Sequence, residues 1–313
     1  MAIAFVFPGQ GSQVVGMGKA LAQSFAPARQ VFEEVDAALG EPLSEMMWNG
    51  PAEALTLTEN AQPALMAASL AVLRVLEIEV GVDLGRDAAF VAGHSLGEYS
   101  ALAAAGSLTL ADAARLLRIR GRAMQKAVPV GAGAMAALVG VKFEEAEAIA
   151  AEATAIGVCA AANDNGGGQV VLSGEKPAVE CAVEIAKARG TKRALMLPVS
   201  APFHCLLMRP AADAMAAALA NVVVKPPRVP VVANVLAAPV TDPEVIVRCL
   251  VEQVTGTVRW RESVLFMVQM GVSVFYELGA GKVLAGLIRR IADTAHASSI
   301  GTPEDIARFQ AAR

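Results

Sequence analysis

The sequence predicts an α/β protein in which a small βαββαβ unit is inserted into a larger unit with a mainly parallel sheet. Three observations lead to this fold class. Short apolar runs alternate with longer helical patterns, one apolar run ends in a glycine-flanked serine before a helix, and the middle of the chain has a strand–helix order of its own. The chain has 313 residues, which is enough for both units.

The composition excludes several classes of partner. The net charge is −4, aromatic residues make up 4%, and Lys and Arg are dispersed, so we expect no nucleic-acid partner and no membrane. The best candidate for a membrane span, residues 64–76, is interrupted by Ser69 and Arg74. The N-terminus lacks the basic start of a signal peptide, so we expect a cytoplasmic protein. The cysteines show no metal-site spacing and are expected to be reduced thiols: Cys159, Cys181, Cys205 and Cys249.

The first element is a buried strand at residues 3–7, which a Pro-Gly pair ends. Three of the six residues in the following loop, 8–13, are Gly or Pro. Such a loop brings backbone N–H groups close to a ligand, although an ordinary strand-to-helix connection has the same composition. Helices are predicted next at residues 28–39 and 61–80.

A serine-containing turn follows. A strand at residues 88–92 runs into Gly93-His94-Ser95-Leu96-Gly97, and a helix at residues 98–105 begins at once. Strand, tight turn and helix around G-x-S-x-G form the layout of a nucleophile elbow. In that layout the Ser95 hydroxyl is exposed beside the partial positive charge of the helix N-terminus. The alternative is an ordinary turn that happens to contain serine.

The long helix predicted at residues 111–128 has an arginine inside its apolar stripe. Arg120 lies four residues from both Leu116 and Met124. A guanidinium on a core-facing stripe is costly unless it is paired, so its partner is either an internal carboxylate or the carboxylate of a substrate. The remaining arginines of this helix fall on another face, where we expect solvent: Arg115, Arg118 and Arg122.

The pattern then changes to an inserted unit. Strands are predicted at 134–140, 158–162, 169–173 and 193–197, with helices at 143–153 and 175–188 and a Gly-rich turn at 163–168. The order βαββαβ is that of a ferredoxin-like unit. Glycine- and proline-containing linkers flank it. We therefore predict a large domain formed by residues 1–130 and 198–313, and a small domain formed by residues 131–197.

One of the three histidines is well placed to meet Ser95. His94 adjoins Ser95 and should point elsewhere, and His296 lies in a polar stretch near the C-terminus. His204 lies where the chain returns from the insertion, at the start of a helix predicted at 206–219. A structural histidine is the alternative. Further strands and helices are predicted at 231–235, 243–254, 261–270, 272–278 and 282–291.

A pair of Ser95 and His204 implies acyl transfer through an acyl-enzyme. An α/β-hydrolase would also have an acid between Ser and His in chain order. Nearly every acidic residue in that interval lies in the elbow helix, at a helix cap or in the inserted unit. A backbone carbonyl in place of a carboxylate is therefore expected to orient the imidazole, which weakens the esterase hypothesis without removing it.

Six motifs occur in order along nearly the whole chain. They are Phe-Pro-Gly-Gln-Gly-Ser-Gln at 7–13, Gly-His-Ser-Leu-Gly-Glu-Tyr at 93–99, Arg-Gly at 120–121, Gln-Val-Val-Leu-Ser-Gly at 169–174, Pro-Phe-His at 202–204 and Gly-Ala-Gly-Lys-Val-Leu at 279–284. Together they resemble the malonyl-CoA:acyl carrier protein transacylase family. The resemblance implies a hydrolase-like large domain with an inserted ferredoxin-like domain.

The resemblance also implies roles for Ser95, His204 and the residue that orients His204. Ser95 matches the nucleophile that carries the malonyl ester, and His204 matches the general base. Gln253 aligns with the residue whose main-chain carbonyl orients that histidine. The transfer would be ping-pong, with a malonyl-serine intermediate.

Four further residues match the family's binding positions. The backbone N–H groups of Gln10 and Leu96 match the oxyanion hole. Arg120 matches the arginine that pairs bidentately with the malonyl carboxylate, which favours a substrate partner over an internal one. Phe203 is expected to form a wall of the acyl pocket.

The resemblance implies two substrates, malonyl-CoA and an acidic acyl carrier protein that presents a phosphopantetheine thiol. We expect no metal and no redox cofactor. The candidate docking patch lies on the inserted unit, with Arg289 and Arg290 as a second possibility, and solvated helix ends are the alternative for both. The patch consists of Lys187, Arg189, Lys192 and Arg193.

The sequence therefore predicts an acyltransferase that moves malonyl from coenzyme A to acyl carrier protein in fatty-acid biosynthesis. A thioesterase or esterase of the same fold would instead release free malonate steadily. A non-catalytic carrier-docking protein is disfavoured because Ser95, His204 and Arg120 are all present.

Overall fold

The computed structural model describes residues 2–199 and 201–312, and two β-sheets organise them. The strands, numbered along the chain, are β1 Ala2–Phe7, β2 Phe90–Gly93, β3 Gly133–Val139, β4 Cys159–Gly166, β5 Gln169–Glu175, β6 Arg193–Met196, β7 Val231–Ala233, β8 Ala238–Val240, β9 Val272–Leu278 and β10 His296–Ile300.

The α-helices surround these sheets. They are α1 Lys19–Ser24, α2 Ala26–Leu39, α3 Leu43–Asn49, α4 Ala52–Thr56, α5 Thr58–Glu79, α6 Leu84–Asp87, α7 Leu96–Ala104, α8 Leu110–Ala127, α9 Phe143–Ala153, α10 Lys176–Ala188, α11 Arg209–Leu219, α12 Pro243–Gln253, α13 Trp260–Gln269, α14 Val283–Ile291 and α15 Pro303–Ala311. A 3₁₀ turn, Leu206–Met208, precedes α11.

The large sheet has the order β10-β9-β1-β2-β7-β8. All its neighbouring strands are parallel except β8, which pairs antiparallel with β7 at one edge. β1 and β2 are in register so that Phe7 lies beside Gly93 at their carboxyl ends. In parallel sheets the loops at the carboxyl ends form the ligand-binding edge. The loop after β1 and the serine turn after β2 therefore meet at one place.

The helix α5 lies in the interior of the large unit. By length and composition it could cross a membrane, but 83% of its most apolar 18-residue window is buried inside the protein. It packs against α2, α7 and α8, and its proline, Pro63, is buried within it. We interpret α5 as a core helix because burial on every side accounts for its apolar composition.

The small sheet is antiparallel, with the order β4-β5-β3-β6. Helices α9 and α10 pack on it and share with it a separate hydrophobic core. The predicted fold class, a large mainly parallel sheet plus an inserted βαββαβ unit, is confirmed. The domain boundaries at 130/131 and 197/198 stay a prediction. The predicted large domain includes residues 1, 200 and 313, which lie outside the described residues.

Two local predictions differ from the structure, and several short elements were not predicted. The Gly-rich segment 163–168 was expected to be a turn, but β4 continues through it to Gly166 because Asn163, Asp164 and Gly166 still pair with β5. The helix expected at 206–219 begins as a 3₁₀ turn. Short elements such as β8, β10 and α15 have too little periodicity to be found in the sequence.

Candidate active site

The turn between β2 and α7 holds Ser95 in a conformation that is unusual for an L-residue. Its φ is 54° and its ψ is −108°. A Cβ on Gly93 would overlap the backbone of Gly97, and a Cβ on Gly97 would overlap the carbonyl of Phe7. The two glycines thus permit the close backbone approach that the serine turn requires.

His204 faces the serine. Its Nε2 lies 2.8 Å from the Ser95 Oγ, and its Nδ1 lies 2.8 Å from the main-chain oxygen of Gln253. A carbonyl can only accept, so Nδ1 carries the proton and Nε2 is left as the acceptor for the serine hydroxyl. His204 itself has a φ of 59°. Two strained backbones therefore meet at this pair, as often occurs at functional sites.

The environment keeps the imidazole neutral. Burial, and secondly the positive charge of Arg120, lower the pKa of His204 to about 3. A carbonyl takes the position that an aspartate has in a Ser-His-Asp triad. This arrangement matches the expectation from the acidic residues of the sequence, and Gln253 lies at the position that the resemblance assigned.

Arg120 completes the group around the serine. Its Nη2 donates to the Ser95 Oγ at 3.1 Å and to the side-chain oxygen of Gln253 at 2.8 Å. Its Nη1 donates to the side-chain oxygen of Gln62 at 2.8 Å. The guanidinium lies 5.7 Å from the ring centre of Tyr99. Arg120 is 1% exposed, so these contacts are made away from water.

The hydrogen-bond acceptors around Arg120 are all uncharged. In the described ranges, 2–199 and 201–312, no carboxylate lies within ion-pair distance of it, and its Nε has no hydrogen-bond partner. Burial lowers the pKa of Arg120, but a guanidinium stays protonated in proteins. A buried cation with only neutral partners has unused capacity to bind an anion.

Side chains that the sequence analysis did not single out hold this site together. Asn234 accepts from the Ser95 N–H at 2.8 Å and donates from Nδ2 to the Gly93 carbonyl at 2.7 Å. Glu98, inside the elbow motif, accepts from the Asn234 N–H at 3.0 Å. Gln62 was missed as well. Each of these residues is buried and polar, and the contacts that tie it to the site join positions far apart in the sequence.

The two predicted oxyanion donors lie on adjoining segments. Leu96 is the first residue of α7, so its N–H has no partner within the helix. Gln10 follows Gly9, where an added Cβ would come within 2.8 Å of the His94 carbonyl. The side chain of Gln10 accepts from the Thr58 hydroxyl at 2.8 Å. The assignment of these N–H groups to an oxyanion hole stays a prediction.

His94 points away from the nucleophile, as its place in the turn predicts. Its Nε2 lies 2.9 Å from the side-chain oxygen of Asn165, on β4 of the small sheet. Burial lowers the pKa of His94. Phe203, beside the catalytic histidine, is buried with 9% exposure, and its role in the acyl pocket stays a prediction.

The predicted docking patch divides into two pairs. Lys187 and Arg189 are exposed and already form ion pairs with Glu184 and Glu152. Lys192 and Arg193 are exposed beside them, and within the described residues neither forms an ion pair. Arg289 and Arg290 are also exposed, at the end of α14.

The comparisons with known proteins agree on one family. A family model described as acyl transferase domain matches residues 4–307. The malonyl CoA-acyl carrier protein transacylase of Escherichia coli strain K12 is 48% identical over 304 residues, covering 97% of each chain. The acyl-carrier-protein S-malonyltransferase structure from Bartonella henselae has a TM-score of 0.97 at 56% identity, covering 100% of this chain and 99% of the other.

A third relative was solved together with a partner. It is a malonyl transacylase in complex with its type II PKS acyl carrier protein, with a TM-score of 0.96 at 42% identity and full coverage of both chains.

Proposed function

The chain belongs to the acyl transferase family, and from this membership we propose that it transfers a malonyl group from coenzyme A to the phosphopantetheine thiol of acyl carrier protein, in fatty-acid biosynthesis. The observation that carries the proposal is the 3.1 Å contact between Arg120 and the Ser95 Oγ. A cation without a carboxylate partner lies beside the nucleophile, where it can bind an acyl group that ends in a carboxylate.

In the first half-reaction, the Ser95 Oγ attacks the thioester carbonyl while the His204 Nε2 takes its proton. The oxyanion that forms is bound by the N–H groups of Gln10 and Leu96, which supply donors where negative charge develops. The carbon–sulfur bond then breaks, and the imidazolium returns its proton to the departing thiolate. The Gln253 carbonyl stabilises the imidazolium through Nδ1–H.

In the second half-reaction, the thiol of the carrier protein takes the place of coenzyme A. His204 removes the thiol proton, the sulfur attacks the malonyl-serine ester, and the Ser95 oxygen leaves with that proton. The two substrates use one site in turn, which is ping-pong transfer. A His204 pKa of about 3 leaves the imidazole neutral at the start of each half-reaction, so its Nε2 has a free lone pair to accept the proton.

Selectivity for malonyl over acetyl groups is proposed to follow from the neutral hydrogen-bond acceptors around Arg120. In an acetyl-enzyme the guanidinium keeps only neutral partners, whereas in a malonyl-enzyme it gains a charge-assisted bond to the free carboxylate. A site built to bind a polar group discriminates strongly against a substrate that lacks it. The buried face of Phe203 beside His204 is proposed to bound the same pocket.

The carrier protein is proposed to dock at the small unit, residues 131–197, which we regard as a domain inserted between residues 1–130 and 198–313. Lys192 and Arg193 are the leading contacts because they are exposed and unpaired within the described residues. Lys187 and Arg189 have to exchange an existing glutamate for the carrier's acidic groups. Malonyl-CoA and the carrier-bound phosphopantetheine enter as substrates, and the cytoplasm is the proposed compartment.

Intact-mass analysis tests the proposal. After mixing with malonyl-CoA alone, the wild-type protein should carry one malonyl group on Ser95, and addition of holo carrier protein should discharge it onto the carrier thiol. Ser95→Ala, with the same fold by circular dichroism, should carry none. Release of free malonate without an accumulated adduct would instead indicate a hydrolase, and labelling at another residue would refute the nucleophile assignment.

A further inference from the structure

The elbow helix carries a buried carboxylate that the proposed chemistry does not use. Glu98 is the third residue of α7 and is 2% exposed. A carboxylate is rarely buried unless hydrogen bonds compensate for its lost hydration. Its Oε2 accepts from the Asn234 N–H at 3.0 Å and from the Gln253 Nε2 at 2.8 Å. Glu98 therefore holds the side chain of Gln253, which in turn contacts Arg120.

The Gln253 carboxamide can take only one orientation in these surroundings. Its Nε2 lies 3.0 Å from the Ser95 carbonyl and 2.8 Å from the Glu98 carboxylate, and both groups are acceptors. Its oxygen lies 2.8 Å from the Arg120 Nη2, which is a donor. A flipped amide would put its NH₂ against the guanidinium and its oxygen against Glu98, so both contacts would become repulsive.

The Arg120 guanidinium is held between two such carboxamides. Gln253 accepts from Nη2 and Gln62 accepts from Nη1, both at 2.8 Å. Gln62 is itself oriented by its Nε2, which donates to the Thr58 hydroxyl at 3.0 Å. If Gln253 lost its fixed orientation, Nη2 would keep only its longer contact of 3.1 Å with the Ser95 Oγ, so the plane of the guanidinium would be less firmly fixed. A bidentate carboxylate bond needs that plane to be fixed.

We propose that Glu98 is a positioning residue for substrate selection: it fixes the Gln253 carboxamide, which orients Arg120 toward the carboxylate of the acyl group. The proposal rests on the proposed function. Glu98 does not contact the substrate and acts through Gln253. What it supplies is an acceptor at Oε2 for two N–H donors, and a neutral carboxamide oxygen at that position can accept the same two bonds.

The test compares Glu98→Met with Glu98→Gln. The methionine has a similar volume but no acceptor, whereas the glutamine oxygen can accept both N–H groups. The readout is the ratio of kcat/KM for Ser95 acylation by malonyl-CoA to that by acetyl-CoA. We expect Glu98→Met to lower this ratio roughly tenfold or more, and Glu98→Gln to stay within about threefold of the wild type. Equal losses of kcat/KM with malonyl-CoA and acetyl-CoA would mean that Glu98 is only structural.

A second variant keeps the proposal falsifiable if Glu98→Met does not fold. Gln253→Met removes the carboxamide but keeps the main-chain carbonyl that orients His204. It should lower the malonyl-to-acetyl ratio as Glu98→Met does, and the double variant should lower it no further. A wild-type ratio in Gln253→Met, or additive losses in the double variant, would overturn the proposal.

These outcomes are distinct from a failure of the proposed function. If the proposed function is wrong, the wild-type protein itself forms no malonyl adduct. If only the role of Glu98 is wrong, the wild-type protein is malonyl-selective and the variants keep its ratio.

Discussion

Two arginines on the helix α8 differ in their surroundings although they are two residues apart. On one side of the helix, Arg118 forms an ion pair with Glu41 and donates to the Glu59 carbonyl at 2.8 Å. On the other side, Arg120 has only neutral acceptors and the Ser95 hydroxyl. Both side chains are buried, at 6% and 1% exposure.

The difference separates a cation whose partner is inside the protein from one that we propose to bind the substrate. Arg118 has its counter-charge inside the protein, so its place in the fold accounts for it. Within the described residues, the only carboxylate that opposes the charge of Arg120 is that of Glu98, which acts on it without a direct ion pair. A buried arginine whose hydrogen-bond acceptors are all uncharged is therefore a better marker of an anion site than burial alone.

Replacing each arginine by methionine should change activity to very different extents. We expect Arg120→Met to lower kcat/KM for malonyl-CoA by roughly 100-fold or more, because a charge-assisted bond to the acyl carboxylate is lost. Arg118→Met should stay within about threefold of the wild type, since it contacts no reacting group. Steady-state transfer to carrier protein measures both, and similar losses would erase the distinction between the two sites.

The free energy of unfolding should show the reverse order, with a larger loss for Arg118→Met than for Arg120→Met. Arg118→Met removes an ion pair and two further hydrogen bonds, so its free energy of unfolding should fall by about 2 kcal/mol. Arg120→Met removes a buried cation without a carboxylate partner but also leaves the Gln62 and Gln253 side-chain oxygens without that donor, so the two effects offset each other in part and its free energy of unfolding should fall by less than that of Arg118→Met. Urea unfolding measures this, with the exposed Arg115→Met as control. A larger loss at Arg120 would mean that it is mainly structural.

The pH profile of acylation tests how the charge of Arg120 acts on its neighbour. An ordinary histidine loses its basicity below about pH 6.5. Burial and Arg120 lower the pKa of His204 to about 3, so the base should remain available as the pH falls through 6.5. Glu98, with a pKa of about 7, becomes neutral over the same range, which does not favour protonation of His204.

We therefore expect the rate of Ser95 acylation, measured by rapid quench between about pH 5 and pH 8, to show no falling limb near pH 6.5. The folded state should be checked at each pH by circular dichroism. A limb at or above pH 6.5 would show that His204 titrates as an ordinary histidine, against the electrostatic account.

Charge reversal of the exposed cations on the small unit should have the smallest effect on malonyl transfer. Reversing Lys192 and Arg193 to Glu should raise the KM for carrier protein by about fivefold and leave the KM for malonyl-CoA unchanged, because rim charges act mainly on encounter. The same reversal at Lys187 and Arg189, which already have glutamate partners, is the matched control and should change less. No effect of either pair would remove this patch from the docking surface, whereas equal effects would mean that the glutamate partners of Lys187 and Arg189 do not weaken their contribution.

Sequence patterns predicted the features of the site that depend on residues close together in the chain. They missed the features that depend on contacts between distant residues. The elbow around Ser95, the position of Arg120 on its helix and the place of His204 follow from patterns within a few residues. Arg118 was expected to face solvent, and that prediction was wrong, because Glu41 and Asn60 approach it from other elements. Helical periodicity does not contain that information.

The same reason accounts for the missed residues of the network. Asn234 lies in the segment after β7, and its contact with the Ser95 N–H joins residues 139 positions apart in the sequence. The bridge between Asn163 of β4 and Val258 also joins residues that are distant in sequence. Neither contact leaves a local signal, although an Asn directly after a buried strand of a parallel sheet is at the edge where ligands bind.

A competition experiment tests the central claim most directly. Equal concentrations of malonyl-CoA and acetyl-CoA are mixed with wild-type, Arg118→Met and Arg120→Met protein without carrier protein, and the two Ser95 adducts are separated by mass at the earliest times. We expect mainly malonyl adduct on the wild type and on Arg118→Met. On Arg120→Met we expect a mixture in which the malonyl adduct no longer dominates. A wild-type ratio on Arg120→Met would contradict the role of Arg120 in reading the acyl carboxylate.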